Sequence, residues 1–261
     1  MEPLYIIKIG GNIIDDERKL LSFLKAFAAI EGHVILVHGG GKLATRVAEA
    51  MGNPQQMIEG RRVTDAETLK VVSMVYAGYI NKNIVALLQA NGCNAIGLSG
   101  ADGNVIKAHK RIHPTIDYGF VGDVDEVNTA FIQSLLLQKN SLVFSPLTHD
   151  GNGLLLNTNA DTIAQEIAKS MSALYEVSLI YCFEKPGVLM NAADDNSVIS
   201  NITKASFLQL KTDKVITEGM IPKLQNAFVA LDAGVKLVTI GHADDLPQLI
   251  LQQSGTSISH E

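Results

Sequence analysis

Five stretches of this chain combine cations, glycines and small polar residues in patterns that suit an anionic ligand. The first is Tyr5-Ile6-Ile7-Lys8-Ile9-Gly10-Gly11, an apolar run with one cation inside it and two glycines at its end. Lysine is among the residues least often fully buried, so Lys8 is expected where a buried strand ends and an anion waits. Gly10 and Gly11 let the backbone turn tightly and approach a ligand. The second stretch is His38-Gly39-Gly40-Gly41, leading into a helix that begins at Lys42. Free glycine amides and the positive end of a helix make an anion cradle. The third is Gly60-Arg61-Arg62-Val63-Thr64. The Arg62 guanidinium suits a bidentate grip on a carboxylate. Adjacent strand side chains point to opposite faces, so one arginine of the pair is expected to face a ligand. A solvated surface arginine is the competing account.

The fourth stretch places Asn157, Asn159 and Asp161 two residues apart across a strand-to-helix junction. Helix capping competes as an account of Asn159 and Asp161, but not of Asn157. The fifth puts Lys223 after Pro222 at a helix start, where a lysine opposes the helix dipole. A bound polyanion resolves that conflict; an exposed lysine is the alternative. Together these groups suit phosphate chemistry, although G-x-x-x-x-G-K-[ST] occurs nowhere. Gly39-Gly40-Gly41-Lys42-Leu43-Ala44 formally fits the dinucleotide fingerprint. It lies on the second strand of its unit, however, and Glu59, the nearest acid for a ribose, falls in a hairpin. A nicotinamide-dependent oxidoreductase is therefore disfavoured. His109-x-x-x-His113 has helical ligand spacing but no cysteine or glutamate partner nearby, so no metal site is expected.

The elements that must position these groups follow from periodicity. Leu4 to Ile9 reads as a buried strand, Glu17 to Ile30 as a helix with Leu20, Leu21, Leu24 and Phe27 on one face, and His33 to Val37 as a second strand. In such a β-α-β unit both glycine clusters lie on the same edge of the sheet. Met57 to Val63 reads as a hairpin. Thr64-x-x-Glu67 reads as a capping box opening a long helix, with a possible break at Gly78. Asn94 to Leu98 is a strand, Val105 to Val127 a set of rim hairpins, Thr129 to Leu137 a helix and Ser141 to Ser145 a strand. Leu154 to Leu156 is a short strand, after which Asn159 caps a helix to Met171. Val177 to Phe183, a helix over Lys204 to Leu210, a proline-started helix to Gly234, a strand over Val235 to Ile240 and a helix over Asp244 to Leu251 complete the chain. Alternating strands and helices indicate a doubly wound, mostly parallel sheet, with a soft lobe boundary near Ser172-Ala173.

The bulk numbers agree. At 261 residues the chain suits one large α/β domain or two modest lobes sharing a sheet. Apolar residues make up 47% and aromatics 5%, with no tryptophan, so the core is aliphatic. The net charge of −6 disfavours a general nucleic-acid or anionic-membrane surface. Cys93 and Cys182 have no metal-like or disulfide-like spacing, which points to a reducing, cytoplasmic compartment. Met1-Glu2-Pro3-Leu4 lacks the basic region of a signal peptide, and no stretch is expected to span a bilayer.

Taken together and in order, Lys8-Ile9-Gly10-Gly11, His38 to Gly41, Gly60 to Thr64, Asn157-x-Asn159-x-Asp161 and Gly219-Met220-x-x-Lys223 resemble the amino-acid kinase family, and within it the acyl-glutamate kinases. The resemblance covers nearly the whole chain. It implies a three-layer α/β/α sandwich with an open, mostly parallel eight-stranded sheet, as in carbamate kinase. It implies an N-terminal lobe (1–173) for the acyl amino acid and dimerisation, and a C-terminal lobe (174–261) for ATP. By the same resemblance, Lys8 and Lys223 stabilise the transferring phosphoryl group and Asp161 holds them in place. Gly40, Gly41, Arg62, Asn157 and Asn159 contact the acyl-glutamate. Gly10, Gly11, Glu184, Lys185, Pro186, Gly187, Val188, Leu189, Val215, Ile216, Thr217 and Met220 match nucleotide-binding positions. The implied substrates are ATP, carrying Mg²⁺, and N-acetyl-L-glutamate, in the second step of arginine synthesis. N-succinyl-L-glutamate or a related acyl amino acid is the alternative acceptor, with Lys42 or Arg46 meeting the extra carboxylate. A non-catalytic amino-acid or nucleotide sensor is the alternative of another class.

Three departures from the family pattern stand out. Glu184 replaces the usual aspartate, and Ala101 stands where lysine is common. The extra N-terminal helix of arginine-inhibited hexameric members is absent before the first strand, so a homodimer without that feedback is expected. The implied chemistry needs no general base, because a glutamate carboxyl with a reference pKa of about 4.3 is already ionised at neutral pH.

Overall fold

The computed structural model describes residues 1–58, 61–216 and 220–260; Glu59, Gly60, Thr217 and Gly219, named above, lie outside them. The first strand, Pro3–Ile9, is the centre of the architecture. Its alternation sends Leu4 and Ile6 into one apolar layer and Ile7 and Ile9 into the other. With both faces covered, the strand reads as a near-continuous apolar run. It pairs in parallel with Glu176–Phe183 on one side and His33–His38 on the other.

Across the eight-stranded sheet the order is Asn201–Ile202, Thr256–Ile258, Leu237–His242, Glu176–Phe183, Pro3–Ile9, His33–His38, Ser141–Phe144 and Ala95–Leu98. The last six are mutually parallel; Thr256–Ile258 runs antiparallel to Leu237–His242 and carries Asn201–Ile202 with it. Those two short strands escape sequence reading because two or three residues are too few to show a period. One face is covered by helices Thr129–Leu137, Ala160–Met171, Lys204–Thr212 and Ile221–Asp232. Helices Glu17–Ala28, Gly41–Ala50, Ala66–Ala90 and Leu246–Ile250 cover the other. In a four-stranded sheet the two strands of the hairpin region, Ile106–Lys110 and Gly122–Val127, join Leu155–Asn157 and Leu147–His149, the last of which the sequence does not announce.

Several local expectations are corrected. In Glu17–Ala28 the buried residues are Leu20, Phe23, Leu24 and Phe27, while Leu21 is exposed. A step of 100° per residue carries Leu21 off the stripe that Phe23 completes. Thr64 does not cap a helix: it is buried and its hydroxyl donates to the Arg62 carbonyl. Asp65 is the cap, accepting from the Thr68 amide at 2.7 Å. Gly78 breaks nothing, because the helix runs on from Ala66 to Ala90 through a π-helical segment at Ser73–Ile80. By length and composition this helix could cross a bilayer, contrary to the sequence expectation. Val71, Val72, Val75, Tyr76, Ile80, Ile84 and Leu88 are instead packed in the core.

His38, at the end of the second strand, is fully buried. Its Nδ1–H donates to the Gly39 carbonyl at 2.7 Å, and Nε2 faces the Asn81 amide at 3.3 Å. That arrangement assigns the neutral Nδ1–H tautomer. Burial, opposed by the Gly39 bond and helped by Lys82, pulls its pKa down from 6.5 to about 4. The unfolded chain therefore binds a proton that the folded chain refuses between those values. Stability is full above pH 6.5 and falls by about 3 kcal/mol as pH drops through 4. Urea melts at pH 7 and pH 4 on the wild type and His38→Leu should show this slope diminished in the variant.

Candidate active site

The sheet brings the motifs to one edge. Lys8 follows Leu4 and Ile6 in alternation, so its side chain lies on the face covered by the Ala160–Met171 helix. That helix begins at this edge, and Asn159 caps it by accepting from the amides of Asp161 and Thr162. The cap orients the first turn, where a carboxylate is favoured by the helix dipole. Asp161 Oδ1 meets Lys8 Nζ at 2.7 Å, with Lys8 only 8% exposed. The contact is an ion pair rather than a well-angled hydrogen bond, as Oδ1 has no other partner among the described residues. Lys8 thus enters the apolar layer only with its charge matched.

Lys223 comes to the same place from the first turn of Ile221–Asp232, with Pro222 in that turn. Its ammonium lies over the Phe183 ring, 3.7 Å from the centroid, and Lys8 Nζ is 5.5 Å from that centroid. Burial lowers the Lys223 pKa, Asp161 raises it and Lys8 lowers it again. Among the described residues no carboxylate lies within ion-pair distance of Lys223, so Asp161 grips Lys8 alone.

Two cavities meet here. The smaller, of 230 Å³, is lined by Lys8, Gly39 to Gly41, Asn157, Asn159, Asp161 and the arginines Arg61, Arg62 and Arg111. The larger, of 490 Å³, is lined by Lys42, Phe183, Glu184, Lys185, Gly187, Met220 and Lys223. Gly10, Gly11 and Gly41 line both, so the glycine clusters form the wall between them. Neither Gly10 nor Gly11 has a left-handed backbone. Their lack of side chains keeps the junction open rather than making a turn possible. Gly40 is different: it has φ 149°, and an added Cβ would stand 2.3 Å from Ile80 Cδ1.

Arg62 is buried against the smaller cavity. Its Nη2 donates to the Gly41 carbonyl and the Thr45 hydroxyl, each at 2.8 Å, and Nη1 donates to Gln55. The guanidinium thereby fixes the start of the Gly41–Ala50 helix while placing its charge in the cavity. Arg61 and Arg62 line the same cavity, contrary to the opposite-face expectation; a strand of two residues is too short to hold the alternation. Arg111 was missed in the sequence. Asp123 holds its Nε through both carboxylate oxygens, at 3.1 and 3.0 Å. Its only sequence signal was a cation in a hairpin, and the pairing that aims it is tertiary. Asn157 donates to the Thr64 hydroxyl at 3.0 Å, which orients its carbonyl oxygen. Arg62→Lys should raise the KM for a carboxylate acceptor about 10- to 100-fold with kcat nearly unchanged, since charged hydrogen bonds worth about 1.5–3 kcal/mol are lost. Steady-state kinetics varying the acceptor reads this directly.

On the other side, Lys185 pairs with Asp195 at 2.7 Å, and Glu184 is exposed on the cavity wall. Gly187 must lack a side chain, because a Cβ would come within 2.7 Å of the Thr256 hydroxyl. A 140 Å³ extension is lined by Val188, Leu189, Val215, Ile216 and Met220. Pro186 is half-buried and lines neither cavity, and Thr217 lies outside the described residues. Lys42 faces the larger cavity and bonds Asn12, and Arg46 pairs with Asp15 at 3.2 Å; neither reaches the smaller cavity. Ala101 is exposed in a turn away from both cavities. His109 bonds Asp125 and His113 caps the amides of Thr115 and Ile116, so the two histidines serve separate local contacts.

The chain is similar to known proteins over nearly its whole length. The chain is 55% identical over 257 residues to the acetylglutamate kinase of Bacteroides thetaiotaomicron, covering 98% of each. The structure of smu.665 from Streptococcus mutans superposes with a TM-score of 0.80 at 29% identity, covering 99% of both chains. Giardia carbamate kinase, at 14% identity, 98% coverage of both chains and a TM-score of 0.67, shares the fold. The profile described as "Amino acid kinase family" matches residues 3–242, from the first strand to the end of Leu237–His242. A lysine-bearing first strand, a glycine wall between two cavities and a second lysine from a later helix are thus the features of a chain that belongs to the amino acid kinase family.

Proposed function

We propose that the protein transfers the γ-phosphoryl group of ATP to the side-chain carboxylate of N-acetyl-L-glutamate, forming an acyl phosphate in arginine synthesis. The observation that carries this reading is the glycine-walled junction of two cavities with Lys8 on one side and Lys223 on the other. The acyl amino acid occupies the smaller cavity, where Arg62 and the Asn157 amide meet its carboxylates. The nucleotide occupies the larger one, its base toward Val188, Val215 and Ile216. On this reading residues 1–173 form the acceptor lobe and 174–261 the nucleotide lobe.

The acceptor carboxylate is already an anion, so the barrier is repulsion from an anionic donor. Catalysis is then positioning plus charge stabilisation. Lys8 and Lys223 neutralise the transferring group, and the open glycine backbone lets it lie against bare amides. Asp161 orients Lys8; beside an ammonium at 2.7 Å it has no use as a base. Among the described residues no three His, Cys, Asp or Glu side chains gather as a metal cage. On this reading Mg²⁺ enters as an ion carried by the phosphates, whose charge it offsets.

Two free cysteines suit a cytoplasmic enzyme, and the exposed Met74 and Tyr79 on the Ala66–Ala90 helix support a homodimer through the acceptor lobe. A second reading keeps the reaction and changes the acyl group. Arg61 and Arg111, beyond Arg62, give the acceptor cavity cations that a succinyl carboxylate would meet. An ATP-dependent hydroxamate assay on acetyl-, succinyl- and free glutamate tests both, because hydroxylamine traps acyl phosphates. Product from N-acetylglutamate supports the first reading and preference for the succinyl acceptor the second. No product from any acceptor would return the chain to the sensor alternative.

A further inference from the structure

Phe183 is the last residue of the Glu176–Phe183 strand, and its ring lies beside both lysines of the junction. In the parallel register Lys8 is opposite Tyr181, so Lys8, Tyr181 and Phe183 project from one face of the sheet. The Tyr181 and Phe183 rings stack, 6.3 Å apart and 15° from parallel, and Tyr181 is buried. The Phe183 ring is therefore backed on one side and free to offer a face to a cation. Lys223 Nζ stands 3.7 Å from its centroid. Asp161, a carboxylate whose charge acts on Lys223, is engaged with Lys8, and among the described residues no carboxylate stands within ion-pair distance of Lys223. An aromatic face is a weaker partner for an ammonium than a carboxylate or a phosphate, so an arriving phosphate can displace it.

We propose that Phe183 is a positioning residue for phosphoryl transfer: its ring holds the Lys223 ammonium at the cavity junction until a nucleotide phosphate takes it over. The inference rests on the kinase reading for its consequence, but the contact is a property of the free protein. An aspartate or glutamate in place of the ring would hold Lys223 as a salt bridge that a phosphate has to break. An aliphatic side chain would leave the ammonium half-buried with nothing to face. The groups around Lys223 are Asp161 and Lys8 on one side and Lys42, Glu184 and Lys185 along the larger cavity. Burial already lowers its pKa, and losing the ring's negative face lowers it further.

The test is pH-dependent labelling of Lys223 by acetic anhydride in the ligand-free protein, read by peptide mass spectrometry. Phe183→Leu keeps an apolar side chain; Phe183→Tyr keeps the aromatic face. In Phe183→Leu the labelling midpoint should move down by about one pH unit and the rate at pH 8 should rise several-fold. In Phe183→Tyr both should match wild type. Kinetically, kcat/KM for ATP in Phe183→Leu should fall about tenfold, with the acceptor KM within about twofold, and Phe183→Tyr should restore it. An unmoved midpoint in Phe183→Leu overturns the proposal. If the midpoint moves but no acyl glutamate is phosphorylated by the wild type, the ring–lysine contact stands and the kinase reading falls.

Discussion

Lys8→Ala is expected to lower kcat by about 10²–10³-fold while leaving the KM for ATP and for the acyl glutamate within a few-fold. The reason is where its charge acts. Lys8 is nearly buried at the junction of the cavities rather than deep in either, and Asp161 fixes its ammonium at 2.7 Å. A charge fixed in that way costs no reorganisation when negative charge moves between donor and acceptor. Bound separately, neither substrate gains much from it. Lys223→Ala should behave alike from the nucleotide side. The double variant should lose less than the product of the single losses, because two cations that converge on one group act as a unit. Lys8→Ala should also leave Asp161 as an unpaired carboxylate, so Lys8→Ala with Asp161→Ala is expected to fold at least as well as the single change. A kcat near wild type in either lysine variant would contradict these roles.

Gly40→Ala should be the most damaging small substitution in the acceptor cavity. Its backbone at φ 149° lies where only glycine is at ease, and the new methyl would stand 2.3 Å from Ile80 Cδ1 and 3.2 Å from Tyr76 Cδ1. Ile80 and Tyr76 are buried in the π-helical segment and cannot swing aside. Overpacking and backbone strain of this kind each cost about 1–3 kcal/mol. The relief available is a shift of Gly39 to Gly41 toward the cavities, which displaces the amides and loosens the Gly41 carbonyl from Arg62. A lowered melting temperature together with a KM for the acyl glutamate raised tenfold or more is the expected pair of effects, seen by calorimetry and steady-state kinetics. An unchanged KM would show that the Gly40 amide plays no part in binding. For the melting temperature alone Gly10→Ala is the control, since its Cβ would meet only Lys8 Nζ, at an ordinary 3.9 Å.

How much of this was legible beforehand depended on whether the cause was local. The first strand, its lysine and the glycine pairs announce themselves because a cation in an apolar run and consecutive glycines are unusual within a few residues. The order of elements followed for the same reason, since periods of 2 and 3.6 are local. What failed was decided by packing. Leu21 is the exception, since the 3.6 period alone leaves it off the stripe of Leu20, Phe23, Leu24 and Phe27. Thr64 has the composition of a cap, yet its pairing with Gly119 holds it as a bridge and passes capping to Asp65. Arg111 needed Asp123 to aim it, and Phe183 needed two lysines from other elements to be more than an apolar strand end. The π-helical turn that supplies Ile80 and Tyr76 beneath Gly40 has no sequence signal at all, although the glycine that it requires does.

In the proposed reaction Lys8, on strand Pro3–Ile9, and Lys223, on helix Ile221–Asp232, act on one phosphoryl group. The most direct measurement is a crystal structure of the protein with magnesium ADP, aluminium fluoride and N-acetyl-L-glutamate, which mimics the transferring group. Both Nζ atoms should lie within about 3 Å of the fluoride ligands, with Lys223 lifted from the Phe183 ring and Lys8 still paired with Asp161. A complex in which either ammonium stays remote from the fluoride while both substrates are in place would contradict the account.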